Sequence, residues 1–160
     1  MKIKLEKATV LDAPAILAMQ KAAFLPLLEK YQDHDTNPVN ETLERILGRI
    51  SDPASIYYKI VAKEYMVGAI RIKWDEEVRF WVSPLFVDPL YQGLGIARKV
   101  MEQAELLHAE AETWELATIL EEEGNCRFYE KLGYQATGSA DLLNDNTTLG
   151  YFKKTAKDVI

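Results

Sequence analysis

The chain has a single cysteine, Cys126, so no disulfide can form within it, and nothing in its residues calls for an oxidising compartment. Its two histidines, His34 and His108, add too little to that cysteine to make a plausible metal cluster. Basic residues are the minority: 19 Lys and Arg stand against 25 Asp and Glu, a net charge of −6. That balance disfavours nonspecific nucleic-acid binding, which needs a basic surface. An anionic ligand would require a locally positive site within this negative field. Long apolar runs are missing too. No window approaches the roughly 18 apolar residues of a membrane span, and the amino terminus alternates charged and apolar residues unlike a signal peptide. A cytoplasmic protein with neither membrane nor nucleic-acid partner is expected. Two phosphate signatures are also absent. Without Gly-x-x-x-x-Gly-Lys-Ser/Thr a P-loop nucleotidase is disfavoured, and without Gly-x-Gly-x-x-Gly after the first strand so is a dinucleotide oxidoreductase.

What is present fits one domain over residues 1–160, with 48% hydrophobic and 28% charged residues. Residues 2–9 alternate as a half-buried strand. Asp12 offers an N-cap and Pro14 a first-turn proline for a helix over 13–30, which Pro26 should kink or divide. Asn37-Pro38 signals a second helix start, with Leu43, Ile46, Leu47 and Ile50 as its buried stripe. Apolar runs at 56–63 and 67–74 read as a hairpin, and Asp75-Glu76-Glu77 turns the chain into a strand over 78–87. Pro84 inside that strand cannot donate to a ladder and marks a bulge or an unpaired edge. A helix follows with Ala97, Val100, Met101, Ala104 and Leu107 inward, then a strand over 114–120. Residues 125–132 form a short helix that Gly133 stops. Strands over 134–139 and 148–154 close the chain, joined by a loop at 141–146. The order βααβββαβαββ predicts an α/β protein: one central mixed sheet of about seven strands with helices on both faces.

The strongest local signal is Phe86-Val-Asp-Pro-Leu-Tyr-Gln-Gly-Leu-Gly-Ile-Ala97, which joins a strand end, a polar turn and a helix start. First-turn amides of a helix lack internal partners, and the macrodipole adds positive potential there. Gly93 and Gly95 let a ligand approach the backbone closely. The result is an anion cradle suited to a pyrophosphate, with Arg98 and Lys99 supplying local positive charge.

These residues resemble the GNAT N-acetyltransferase superfamily. Gln92-Gly-Leu-Gly95-Ile-Ala97 matches its Gln/Arg-x-x-Gly-x-Gly/Ala signature, after the usual Val-x-Pro. Asn125-Cys-Arg-Phe-Tyr-Glu-Lys-Leu-Gly-Tyr134 is similar to its second hallmark, and the element order follows the family over residues 2–154. The resemblance implies a GNAT fold, with a mostly antiparallel twisted sheet whose fourth and fifth strands splay apart. It implies acetyl-coenzyme A as cosubstrate, with no metal. The amides of Gln92, Gly93, Leu94, Gly95, Ile96 and Ala97, beside Arg98, would hold the pyrophosphate. Phe86 and Val87 would pair with the pantetheine, and Asn125 would hydrogen-bond it. Tyr129, beside the sulfur, would be the general acid. The implied activity is direct transfer of the acetyl group to a primary amine of a small molecule through a tetrahedral intermediate, the oxyanion being met by a backbone N–H near Val87. A non-catalytic acyl-coenzyme A sensor and a protein N-terminal acetyltransferase stay open as alternatives, and dimers are common in the family.

An amine is mostly protonated at neutral pH, so a base must take its proton. Asp33 and Glu77 lead, ahead of Glu29, Asp35, His34 and Glu76. Residues 31–40 and the hairpin around 74–81 would bind the acceptor, with Tyr31, His34 and Trp81 as contacts. The acidic composition of that loop favours a cationic acceptor. Cys126 reads as a buried small side chain and His108 as a dipole-complementing helix end.

Overall fold

A computed structural model describes residues 1–75 and 78–156. Seven strands form one sheet: β1 (Ile3–Lys7), β2 (Ser55–Ala62), β3 (Tyr65–Asp75), β4 (Arg79–Val87), β5 (Thr113–Ile119), β6 (Gln135–Asn144) and β7 (Thr147–Thr155), in the order β1-β2-β3-β4-β5-β7-β6. Every neighbouring pair is antiparallel except β4 and β5. Four helices cover it: α1 (Ala13–Tyr31), α2 (Leu43–Ser51), α3 (Ile96–Leu107) and α4 (Glu123–Lys131).

The middle strands are apolar on both faces because both are covered. Along β2, Tyr57 joins the cluster beneath α1 and α2, with Ile16, Ile46, Ala69 and Phe86. Its neighbours Tyr58 and Ile60 join the opposite cluster, with Val100 and Met101 of α3 and with Trp114. Each fully buried Ile or Val is worth roughly 1.5–3 kcal/mol, so the two faces share the stabilisation. Spacing between strands is tight at Gly68, where an added Cβ would lie 2.3 Å from the Phe86 carbonyl oxygen. Backbone cannot yield as a flexible side chain does. Gly68→Ala is therefore expected to cost about 1–3 kcal/mol in urea unfolding, and a change below about 0.5 kcal/mol would show that β3 and β4 can part there.

Several boundaries differ from the sequence expectation. Asp12 does precede α1, but its carboxylate accepts from the Thr9 amide at 2.8 Å and from Lys59 at 3.2 Å, closing the turn before the helix. Pro26 does not divide α1, which runs on to Tyr31. Contrary to expectation, residues Val10–Tyr31 are long and apolar enough, by length and composition, to cross a membrane. In the fold this helix packs on β3 and β4 and buries Ala13, Ile16, Gln20 and Leu28. Asn37-Pro38 begins only a one-turn 3-10 segment, Pro38–Asn40; Thr42 caps α2 instead, its hydroxyl accepting from the Arg45 amide. Leu107, expected inward, is exposed because α3 ends there. Its successor His108 turns inward, shares a hydrogen bond with the Tyr58 hydroxyl at 2.9 Å, and packs among Trp74, Phe80 and Trp114. The loop expected at 141–146 is mostly strand, since β6 continues to Asn144 and turns within two residues into β7. The turn expected at residues 75–77 falls partly on Glu76 and Glu77, outside the described residues.

One feature of the sheet opens the space between β4 and β5. β4 pairs with β5 only from Arg79 to Trp81, opposite Thr113 to Glu115, and the Arg79–Glu115 ion pair at 3.0 Å pins that end. Beyond it the β3–β4 register slips by one residue, leaving Ser83 and Pro84 opposite Arg71. Proline offers no N–H to a ladder, so β4 carries the expected bulge and diverges from β5.

Candidate active site

Three cavities run together along this divergence. The outer one, about 330 Å³, lies against the turn between β4 and α3. A middle one of about 570 Å³ is walled by α1, the end of β4 and α4, and shares Val87, Gln92, Ala97 and Phe128 with the first. The inner one, about 270 Å³, shares Leu85, Asn125 and Tyr129 with the middle one and reaches in between β4 and β5.

The outer turn is built by local chemistry. The Asp88 carboxylate caps the 3-10 turn Pro89–Tyr91 by accepting from the Leu90 amide at 2.9 Å. Gln92 then extends and donates its side-chain amide to the Val87 carbonyl at 3.0 Å, tying the turn to the strand end. Gly93 and Gly95 both sit at φ +78°, the left-handed region, and a Cβ on either would meet nothing within 4 Å. Gly95 is the N-cap of α3 and has no side chain to occupy the first-turn amides, which stay available to an anion. Leu94 is exposed beside them and lines none of these cavities. Of the two cations expected to help, Arg98 lines the outer cavity but pairs with Glu102 at 3.0 Å, and the Lys99 ammonium donates to the Met1 carbonyl.

Tyr129 stands where the middle and inner cavities meet. Its ring packs edge-on against Phe128 and Tyr134, with centroids 5.0 and 6.0 Å away. Among the described residues nothing hydrogen-bonds its hydroxyl, and burial pushes the phenol up to about 12. The proton therefore stays on Tyr129 throughout the neutral range. Asn125 lines the same junction, but as a first-turn residue of α4 and not its cap; Glu122 takes that position.

Asp33 faces the inner cavity. Gln32 ends α1 in the left-handed conformation, φ 55°, its amide bonding the Leu28 carbonyl, and so turns the chain back on itself. Asp33 becomes buried, and the Asn37 side-chain amide donates to its two oxygens at 3.2 and 3.4 Å. Asn37 in turn accepts from the Val39 amide at 2.9 Å, so one side chain caps a turn and holds the carboxylate. The other expected bases are elsewhere. His34 is exposed and bonded to Gln32, while Glu29 and Asp35 are exposed and line none of these cavities. Glu77 and Glu76 lie outside the described residues.

Of the expected acceptor contacts, Tyr31 lies outside these three linings; its hydroxyl donates to Glu122 at 3.0 Å, and Lys30 completes that cluster at 3.4 Å. Trp81 stacks under Arg79, 5.3 Å from the ring centroid, at the closed end of the strand pair and also outside the cavity linings. The Cys126 thiol is raised by burial and by the nearby Glu130, away from thiolate, and its sulfur leans on the Ile119 and Leu120 carbonyls. Sequence reasoning missed Phe24 and Leu27, the α1 residues that wall both the middle and inner cavities. Their helical spacing signals only a buried face. Nothing local assigns that face to a cavity.

A family model for the acetyltransferase (GNAT) domain matches residues 53–136, just over half of the chain. No curated protein matches the chain by sequence. Among solved structures, the PaiA N-acetyltransferase of Thermoplasma acidophilum, in complex with coenzyme A, superposes with a TM-score of 0.80 at 15% identity, over 97% of this chain and 99% of that one. A spermidine N-acetyltransferase SpeG chimera from Vibrio cholerae and hSSAT gives 0.79 at 14% identity, over 99% and 98%. An aminoglycoside 6'-N-acetyltransferase complexed with coenzyme A gives 0.72 at 18% identity, over 98% and 97%.

Proposed function

Since the chain belongs to the GNAT acetyltransferase family and is an acyltransferase, we propose that it moves the acetyl group of acetyl-coenzyme A onto the primary amine of a small molecule. The observation that carries this reading is the continuous groove from the Gly93–Gly95 turn to Tyr129, with unoccupied helix amides at one end and a free phenol at the other. The residues fit the cosubstrate. Glycines with open space above them suit a pyrophosphate, and the splayed end of β4 at Phe86 and Val87 suits an extended arm beside Asn125. When bound, the cosubstrate supplies an activated thioester carbonyl.

The chain's own groups would do the rest. The inner cavity holds the amine nitrogen against that carbonyl, and such positioning can be worth up to about 7–11 kcal/mol. Asp33 takes a proton from the nitrogen, and Tyr129 supplies one to the sulfur as the carbon–sulfur bond breaks, a contribution of about 10²–10⁴ each. The apolar walls exclude water from the reacting atoms.

Isothermal calorimetry with acetyl-coenzyme A tests the reading: binding is expected, and its absence at millimolar ligand would defeat it. Gly95→Val sharpens the test. A branched side chain at φ +78° costs about 1–2 kcal/mol of strain and stands over the anion cradle. Affinity is expected to fall at least about tenfold. An unchanged dissociation constant in a folded variant would move the pyrophosphate elsewhere.

A further inference from the structure

The inner cavity carries a charge imbalance that bears on which amine it takes. Asp33 is 7% exposed, and its carboxylate is met by one neutral donor, the Asn37 amide. Among the described residues no Lys, Arg or His lies within ion-pair distance of it. A carboxylate facing a largely apolar cavity without a cation lacks the partner that buried charges usually have. A cation arriving with the substrate would supply that partner. Of the neighbouring acids, Glu122 is held by Lys30 and Tyr31, and Glu121, which accepts from the Thr148 amide at 2.7 Å, is exposed and lines none of the three cavities. The remaining wall is largely hydrocarbon, from Leu85, Leu116, Ile119, Leu143 and Leu149. The space, about 270 Å³, is below the roughly 300–1,000 Å³ of sites for drug-sized ligands.

We propose that the acceptor is a compact primary monoamine with an apolar body, its ammonium drawn to Asp33 and its hydrocarbon packed on the leucine walls. This rests on the acetyl-transfer reading and narrows it. A polyamine would press a second ammonium against leucines with no counter-ion, and an aminoglycoside would bring several charges and hydroxyls into the same space. Both pay desolvation that the walls cannot return. In the transfer the ammonium loses one proton through Asp33 to solvent, and the nitrogen lone pair forms the bond to the acetyl carbon. The carbon–sulfur bond breaks with its electron pair on sulfur. Tyr129 protonates the sulfur, and the second proton leaving nitrogen restores the phenol.

The test is free-thiol release by the full chain with acetyl-coenzyme A and a panel of isoamylamine, phenethylamine, spermidine and kanamycin. The two monoamines are expected to exceed spermidine and kanamycin in kcat/KM by at least about tenfold. Leu143→Glu adds a second carboxylate to the wall and is expected to shift the spermidine-to-isoamylamine ratio upward by about tenfold or more. A wild-type protein that prefers spermidine or kanamycin, or turns over neither monoamine, overturns the proposal. Calorimetry on the same sample separates the two failures. Heat with acetyl-coenzyme A but no monoamine turnover rejects the acceptor class alone, whereas no heat rejects the underlying reading as well. If the Leu143 variant does not fold, the wild-type panel decides.

Discussion

Tyr129→Phe is expected to lower turnover by about 10²–10⁴-fold while changing acetyl-coenzyme A affinity by less than about twofold. The split follows from where the side chain stands. The ring makes the packing contacts with Phe128 and Tyr134, and phenylalanine keeps them. Among the described residues the hydroxyl has no partner to lose, so stability should stay within about 0.5 kcal/mol. Only the proton is removed. A phenol raised to about 12 is a reluctant donor to an ordinary thiolate, whose conjugate acid lies near 8.5. A thiolate buried in the same cleft would be disfavoured too, because burial disfavours whichever form is charged, and the mismatch would narrow at the site. The donating form is the protonated one, and it persists below about pH 12. Tyr129 should accordingly contribute no alkaline limb to the rate profile between pH 6 and about 10. A limb in that range that vanishes in the phenylalanine variant would contradict the burial, and an unchanged turnover number would remove Tyr129 from the chemistry.

Asp33→Asn is the second large effect, an expected loss of about 10²–10⁴ in kcat/KM at neutral pH. Asparagine can still accept from Asn37, so the loop keeps its anchor while the proton acceptor is gone. The signature is in the pH dependence. Without a base, the reaction needs amine that is already neutral, a fraction that grows about tenfold per pH unit up to the amine's own pKa near 10. The variant's rate should climb along that slope and approach the parent at high pH. A uniform deficit at every pH would mark Asp33 as a binding anchor only, and an unchanged rate would clear it of both roles.

How much of this was legible beforehand depends on how local each cause is. Gly93 and Gly95 declare themselves, because a strand end, a polar turn and a helix start within a dozen residues leave few other conformations. Pro84 was readable for a similar reason: a missing N–H must interrupt a ladder wherever it falls. Tyr129 and Asn125 were reachable through the resemblance in their segment. Asp33 could be placed among several acids but not singled out. Its burial depends on a left-handed Gln32 and on Asn37, a residue whose pairing with Pro38 advertised a helix start and delivered a single 3-10 turn. The β6–β7 hairpin was underestimated because β6 is exposed along most of its length, so its residues carry almost no alternation to read.

The short seam between β4 and β5 has a mechanical consequence. Among the described residues the β4–β5 ladder holds only three residue pairs, so the strands β1–β4 and β5–β7, though they share one core, are bound by backbone like two leaves of a book along a fraction of the spine. A ligand arm laid into the open part would stitch the leaves along the rest. Substrate saturation would then raise melting temperature and sharpen cooperativity together, making thermal shift a readout of how completely the book is closed.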